Sequence, residues 1–288
     1  MTDIKAAPIA VEATVVDRKI RQQRTSRIDP FGVFGLVLLV IVWQLLTAIL
    51  PPSSLPTPWS ALLRIKQDFF RAEQLSFYGL PETGLFNSMI YTATNVLVAV
   101  ALGSLAGILT GLVTARFQTV RAVLDPIMMT LGTIPILVLA PFFLIWFGVQ
   151  RMTAVLLVAI YVAVILYIFA QRAADNLDPI YEESALTLGA SPRRIVWDVL
   201  IPGTVPQILG GIRIGLAGAW GLEAIAELLG AQYGIGKIVQ VLGGASDVQG
   251  IFAALIVLGL VAVASDALAA FAISRLAGWS VAARPGGV

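Results

Sequence analysis

The sequence has 288 residues, 58% of them hydrophobic and 12% charged, with a formal net charge of +2 and a mean hydropathy of +0.89. A soluble domain carries about 25% charged residues, so this composition points to a membrane protein. Cysteine and histidine are both absent, which excludes disulfides, thiolate chemistry, the commonest metal ligand and the usual neutral-pH proton relay.

Residues 1–30 are polar and carry Lys5, Arg18, Lys19, Arg21, Arg24 and Arg27 with no apolar run before them. They read as a disordered cytoplasmic tail rather than a cleaved signal. Residues 31–50 carry no charge, enough to cross a hydrocarbon core of ~30 Å and to give the first of six expected spans. In the following T-P-W-S-A-L-L-R-I-K-Q-D-F-F-R, Thr57 caps, Pro58 sits in the first turn, and Trp59, Leu62, Leu63, Phe69 and Phe70 are apolar. That pattern predicts a short amphipathic helix on the membrane surface, or one packed on span ends, and the two readings are compatible.

The second span, 88–115, carries Gly103, Gly107 and Gly111 on one helical face, a stripe that lets a neighbouring helix approach closely. The third, 127–148, contains Pro135 and Pro141. An interior proline breaks a hydrogen bond and costs about 3 kcal/mol in a soluble host, so a kinked helix lining a pathway is expected. The fourth span is 153–171. Residues 178–202 then interrupt the apolar pattern with the punctuation of two short helices. Asp178 caps the first, Pro179 follows, Glu182 and Glu183 fall where the helix dipole favours acids, and Gly189 suits a left-handed exit. Ser191 and Pro192 repeat the start, and Pro202 is expected to stop the second piece.

The fifth span, 205–230, contains Arg213, Glu223 and Glu227; a small glycine-broken segment occupies 234–249; the sixth span, 250–276, contains Asp266. Six spans put both termini on one side. Fourteen of the 19 Lys and Arg residues then fall on that side, together with the 178–202 insert, and five on the other. The positive-inside bias therefore predicts cytoplasmic termini and a cytoplasmic insert. Glu223 and Glu227 lie one helical turn apart, and each charge at membrane depth costs at least ~2.5 kcal/mol, so they must meet a cavity or a partner. They are candidates, with Pro135 and Pro141, for lining a translocation path. The plainer alternative for Glu227 is an interfacial carboxylate paired with Lys237 or capping a helix end.

Residues 178–202 carry a resemblance. Glu183-Ser184-Ala185, three residues, Gly189, nine residues and Val199-Leu200-Ile201-Pro202 resemble the E-A-A…G…I-x-L-P signature of the permease (transmembrane) subunits of ABC importers, nitrate/sulfonate/taurine branch. Ser184, Val199 and Ile201 are small or conservative departures. L-D-P at 124–126, the T-I-P…L-A-P-F-F-L-I-W-F-G run, G-I-R-I-G-L at 211–216 and A-E-L at 226–228 are similar to the same branch, so the likeness covers residues 31–279. It implies an all-α polytopic membrane protein with the type I importer permease fold and about six transmembrane helices. It further implies that Glu182, Glu183, Ser184, Ala185, Gly189 and Pro202 belong to a segment coupling to a cytosolic ATPase. The implied partners are ABC ATPase subunits, a second permease copy (a homodimer), a periplasmic or lipid-anchored solute-binding protein and membrane lipid, with no nucleic acid. The solute would be a small oxyanion such as nitrate, a sulfonate, taurine or bicarbonate, or a related small organic molecule, and the location the bacterial cytoplasmic membrane. No phosphate-cradling G-x-x-x-x-G-K-[ST] occurs, so the chain is not expected to be catalytic or to hold a cofactor; ATP and Mg belong to the partner ATPase. The competing expectation is a self-contained secondary transporter or channel, which internal repeats would favour; residues 31–148 and 153–276 show no convincing similarity. A third, an intramembrane enzyme, lacks a nucleophile–base or metal set.

Overall fold

A computed structural model describes residues 30–80 and 82–276, and every regular element among them is helical. The tails expected at 1–30 and 280–288 lie, apart from Pro30, outside the described residues. Contacts divide the chain into two units, Met1–Pro52 and Ser53–Val288.

The first unit holds α1 (Pro30–Leu46), a 17-residue apolar helix with no buried residue. At 1.5 Å per residue it is about 25 Å long, shorter than the expected 31–50 span. Its final turn continues through Thr47 N–H on the Trp43 carbonyl and Leu50 N–H on that of Leu46, ahead of Pro51 and Pro52.

The second unit opens with α2 (Pro58–Asp68), where Thr57 Oγ1 accepts from Ser60 N at 3.1 Å and Pro58 starts the helix. One face buries Ala61 and Arg64, while Trp59, Leu62 and Leu63 are exposed on the other. Arg64 donates to Asp68 (2.5 Å) and to Asp247 (2.8 Å). Asp247 in turn caps α11 (Val248–Leu276) by accepting from Gly250 N at 2.9 Å. Of the two readings for α2, packing on the end of a span is the one these contacts realise, with the amphipathic face turned outward. Burial pushes the Asp68 carboxyl above its usual range against the opposing pull of Arg64, and Asp247 reinforces the rise. A short α3 (Glu73–Phe77) follows.

The core is a slab of α4 (Gly84–Arg116) against α7 (Arg151–Asp175). Its seam is the glycine stripe: a Cβ at Gly107 would lie 2.3 Å from the Ala163 carbonyl oxygen, so the two backbones touch in the way small-residue stripes permit. Val96, Ala99, Val158, Val162, Leu166 and Ala170 fill the slab around it.

Between these helices the expected single kinked span is broken outright. The helix α5 (Gln118–Thr133) and the segment Ile136–Phe147 meet at 92°. Ile134 is extended (ψ 125), as a residue before proline is driven to be, and Pro135 opens a 3-10 turn, Ile136–Leu139. Pro141 lies in the first turn of α6 (Ala140–Phe147), where its missing N–H costs nothing. The interior proline is instead Pro126, within α5.

After α7 come α8 (Pro179–Thr187), then α9, a continuous 39-residue helix from Pro192 to Gly230. Pro202 does not stop it. Ile195–Leu200, separated from it by Ile201, are π-helical, and this wider turn displaces the carbonyls that a proline ring would strike. The chain closes with α10 (Ile235–Gly244) and α11. Among the described residues four helices, α4, α7, α9 and α11, are long and apolar enough to cross a membrane, or five if the bent α5–α6 pair is counted as one span. Counting α1 as the expected sixth requires more than its regular helix.

Candidate functional site

The α8 segment forms as its sequence dictates. Asp178 accepts from Ile180 N at 3.0 Å, Pro179 starts the helix, and Glu182 stands in the first turn. The helix ends on Gly189 (φ +80), with Gly189 N–H on the Leu186 carbonyl and Ala190 N–H on that of Ala185, both 2.9 Å. This pair of bonds is the Schellman motif, which places a left-handed residue one past the cap. Ser191 Oγ then accepts from Arg194 N at 3.4 Å to start α9.

None of the residues of α8 is buried. Ile180, Tyr181 and Leu186 are more than half exposed and Leu188 is 88% exposed, with Trp197 beside them on α9 also exposed. Together they make an exposed apolar surface around this short helix. Glu183, Ser184 and Gly189 share that exposure and Ala185 is half-buried. Glu182 differs: it accepts from Arg116 Nη1 at 2.8 Å, at the end of α4. Pro202 lies within α9, away from this turn.

Beside α8 is a second cluster that the sequence did not single out. Arg121 makes a two-pronged bond with Asp175 (3.0 and 2.8 Å) and reaches Asp125. Asp125 accepts from Tyr167 Oη and from Gln171 Nε2 (2.7 Å). These bonds tie the α4–α5 corner to the last turns of α7.

Glu223 and Glu227 stand at the opposite end of the slab, both 0% exposed. Thr92 Oγ1 donates to the Glu227 carboxylate (2.8 and 2.9 Å) and itself accepts from Ile235 N (3.0 Å); Gly236 N–H donates to Glu227 Oε2 (2.9 Å). Glu227 thus seats the N-terminus of α10, where free amide groups and the helix dipole favour an anion. Lys237 bonds Gln240 instead (2.7 Å). Glu223 Oε1 accepts from Asn95 Nδ2 (2.8 Å), and Asn95 Oδ1 accepts from Arg151 Nε (2.5 Å). Arg151 also donates to Thr94 and lies over the Tyr91 ring, 5.0 Å from its centroid. The two acids are therefore held by α4, α7 and α10. Pro135 and Pro141 flank the break between α5 and α6 and are both exposed. The one advance signal for the missed partners was the trio Thr92, Thr94 and Asn95, polar residues within an otherwise apolar span; Arg116 and Arg121 looked like topology markers only.

Comparison with known proteins agrees with this architecture. The profile of binding-protein-dependent transport system inner membrane components matches residues 99–278. The taurine transport system permease protein TauC of Escherichia coli K12 is 29% identical over 227 residues, covering 78% of this chain and 80% of its own. The nitrate import permease protein NrtB of Synechococcus elongatus is 27% identical over 258 residues, covering 88% and 92%. The formylaminopyrimidine transport permease protein ThiX of Halalkalibacterium halodurans is 27% identical over 231 residues, 79% and 86%. Among solved structures, an inward-facing MetNI methionine ABC transporter shares the fold at TM-score 0.54 and 21% identity, covering 65% of this chain and 91% of that one. A bacterial alginate ABC transporter does so at TM-score 0.57 and 17% identity, covering 86% and 95%.

Proposed function

The chain belongs to the family of binding-protein-dependent transport system inner membrane components, and from its membership we propose how this ABC importer permease works and what it carries. The protein is a multi-pass membrane subunit of a transport system. In our reading it lies in the bacterial cytoplasmic membrane with α8 on the cytoplasmic side, pairs with a second copy of itself, and receives solute from an external binding protein. The solute we favour is a small oxyanion of the nitrate, sulfonate, taurine or bicarbonate kind; the taurine and nitrate permeases among its relatives support that class.

The observation that carries the reading is α8: a capped, rigid helix on a Schellman turn, exposed and apolar, within the segment the family profile matches. A separate ATPase would seat on it. ATP binding closes that ATPase, α8 follows as a rigid body, and the path between the two copies turns outward; hydrolysis resets it, the two-state motion of alternating access. No covalent chemistry falls to this chain, which holds no cofactor in this reading; ATP and Mg stay on the partner. The broken α5–α6 span is the path-lining element we favour, with Pro135 and Pro141 at its break, because irregular backbone at membrane depth needs protein or a water-filled cavity around it. Glu223 and Glu227 act behind that lining, as the joint that holds the far end of the bundle.

Affinity purification of the tagged chain from its native membranes tests the reading. A stable complex with an ATP-hydrolysing subunit is expected, and ATP-dependent uptake in proteoliposomes across a panel of taurine, methanesulfonate, nitrate and bicarbonate assigns the solute class. Solute flux by this chain alone without ATP would instead establish a secondary transporter or channel.

A further inference from the structure

Glu182 and Glu183 are neighbours in sequence but stand about 100° apart around α8, and they meet different surroundings. Glu183 is exposed with the docking face, whereas Glu182 turns back to Arg116 at 2.8 Å. Arg116 and Arg121 flank the corner between α4 and α5; Glu182 and Asp175 flank the corner between α7 and α8. Each cation of one corner engages one acid of the other. Arg121 is further anchored through Asp125 to Tyr167 and Gln171, both buried in the slab.

We propose that this corner-to-corner clasp, Arg116–Glu182 backed by Arg121–Asp175, is the strut that carries a displacement of α8 into the α4–α7 slab. Glu182 is then a positioning residue that acts through Arg116 and is no part of the surface meeting the ATPase. The inference rests on the permease reading above. Both pairs are a third or more exposed on each side, and exposed pairs add little to stability. The fold has slight need of them. Motion is another matter, because α8 buries no residue of its own, and beyond its short chain connections to α7 and α9 it passes a push to α4 through directional contacts. The bond of Arg116 on Glu182 is such a contact, made by α8 itself, and the two-pronged geometry of Arg121 on Asp175 pins the α4–α5 corner to the end of α7 from which α8 departs.

The absence of native cysteine makes the test direct. Spin labels are placed on Val113→Cys in α4 and Thr187→Cys in α8 of the chain in complex with its ATPase, and their separation is measured without nucleotide and with ATP. With the clasp intact the separation stays the same in both states. In Glu182→Ala it shifts on ATP binding while the ATPase remains bound at wild-type stoichiometry and the melting temperature is unchanged. The exchanged pair Arg116→Glu/Glu182→Arg restores the constant separation. The proposal is overturned if Glu182→Ala leaves the separation constant, if it releases the ATPase (Glu182 would then belong to the docking surface), or if the exchanged pair fails to restore it. A wild-type chain that recruits no ATPase would sink the permease reading itself, a separate and distinguishable failure.

Discussion

Glu227 has all its polar partners supplied from other turns of the fold: the Thr92 hydroxyl and the amide of Gly236. Replacing it by Ala strips the seat from α10 and leaves buried donors unmet, a loss of about 1–3 kcal/mol. We expect Glu227→Ala to lower the melting temperature of the detergent-solubilised protein by several degrees, and Glu227→Gln, which keeps an acceptor oxygen, to recover most of it. Equal melting curves for the alanine variant and wild type would show that α10 needs no such seat. Asp68 offers a titration. Its folded-state pKa is raised, chiefly by burial, so folding favours the protonated form. The stability it contributes is present below its unfolded pKa and is lost as pH rises through the raised folded value. Unfolding measured across the carboxylate range should therefore show wild type losing ground to Asp68→Asn as pH increases; a pH-independent difference would contradict that sign. Arg64 opposes that rise from a position it shares between Asp68 and Asp247.

At the scale of the element, α8 and its exit test the balance between local and partner forces. A Cβ at Gly189 meets nothing within 4 Å, so a substitution there is opposed by backbone conformation alone, about 1–2 kcal/mol in the left-handed region. Gly189→Val should redirect the exit and lose the ATPase on purification while leaving the membrane helices folded by circular dichroism; Gly189→Asn, tolerant of that conformation, should keep it. Retention of the ATPase by the valine variant would detach the Schellman turn from docking. The caps Thr57, Asp178 and Ser191 were legible in the sequence because each acts within three residues. Pro202 misled for the converse reason. A proline states only that one amide is missing and one carbonyl must move, and Ile195–Leu200 met both demands by widening a turn rather than ending the helix. The same limit applies at Ile134–Pro135, where the sequence announced a disturbance and the fold decided its size, 92°.

Across the whole molecule, what stayed hidden was pairing at long sequence separation. Arg116 and Glu182 are 66 residues apart and Thr92 and Glu227 are 135 apart, and no periodicity relates one helix's polar residue to another's. Arg213 and Asp266 show the same, joining α9 to α11 through bonds of 2.5 and 2.6 Å. In the proposed membrane placement both residues lie within spanning helices, where removing one member strands a charge and removing both leaves an apolar contact. Arg213→Leu should therefore cut the yield of inserted protein more than Arg213→Leu/Asp266→Leu does, as quantified by membrane-fraction immunoblot; equal losses would assign the pair no joint role. The helix α4 reaches both ends of this architecture, with Thr92 and Asn95 fastened at one end and Arg116 at the other, and the glycine stripe between them. Its contacts are consequently locked to one angular phase. Each added residue turns everything beyond it by about 100°, so the two ends keep time with each other like marks on one shaft. Substitutions on the outward face of α4 leave that phase intact, but a single insertion or deletion between Asn95 and Arg116 sets its ends permanently out of step.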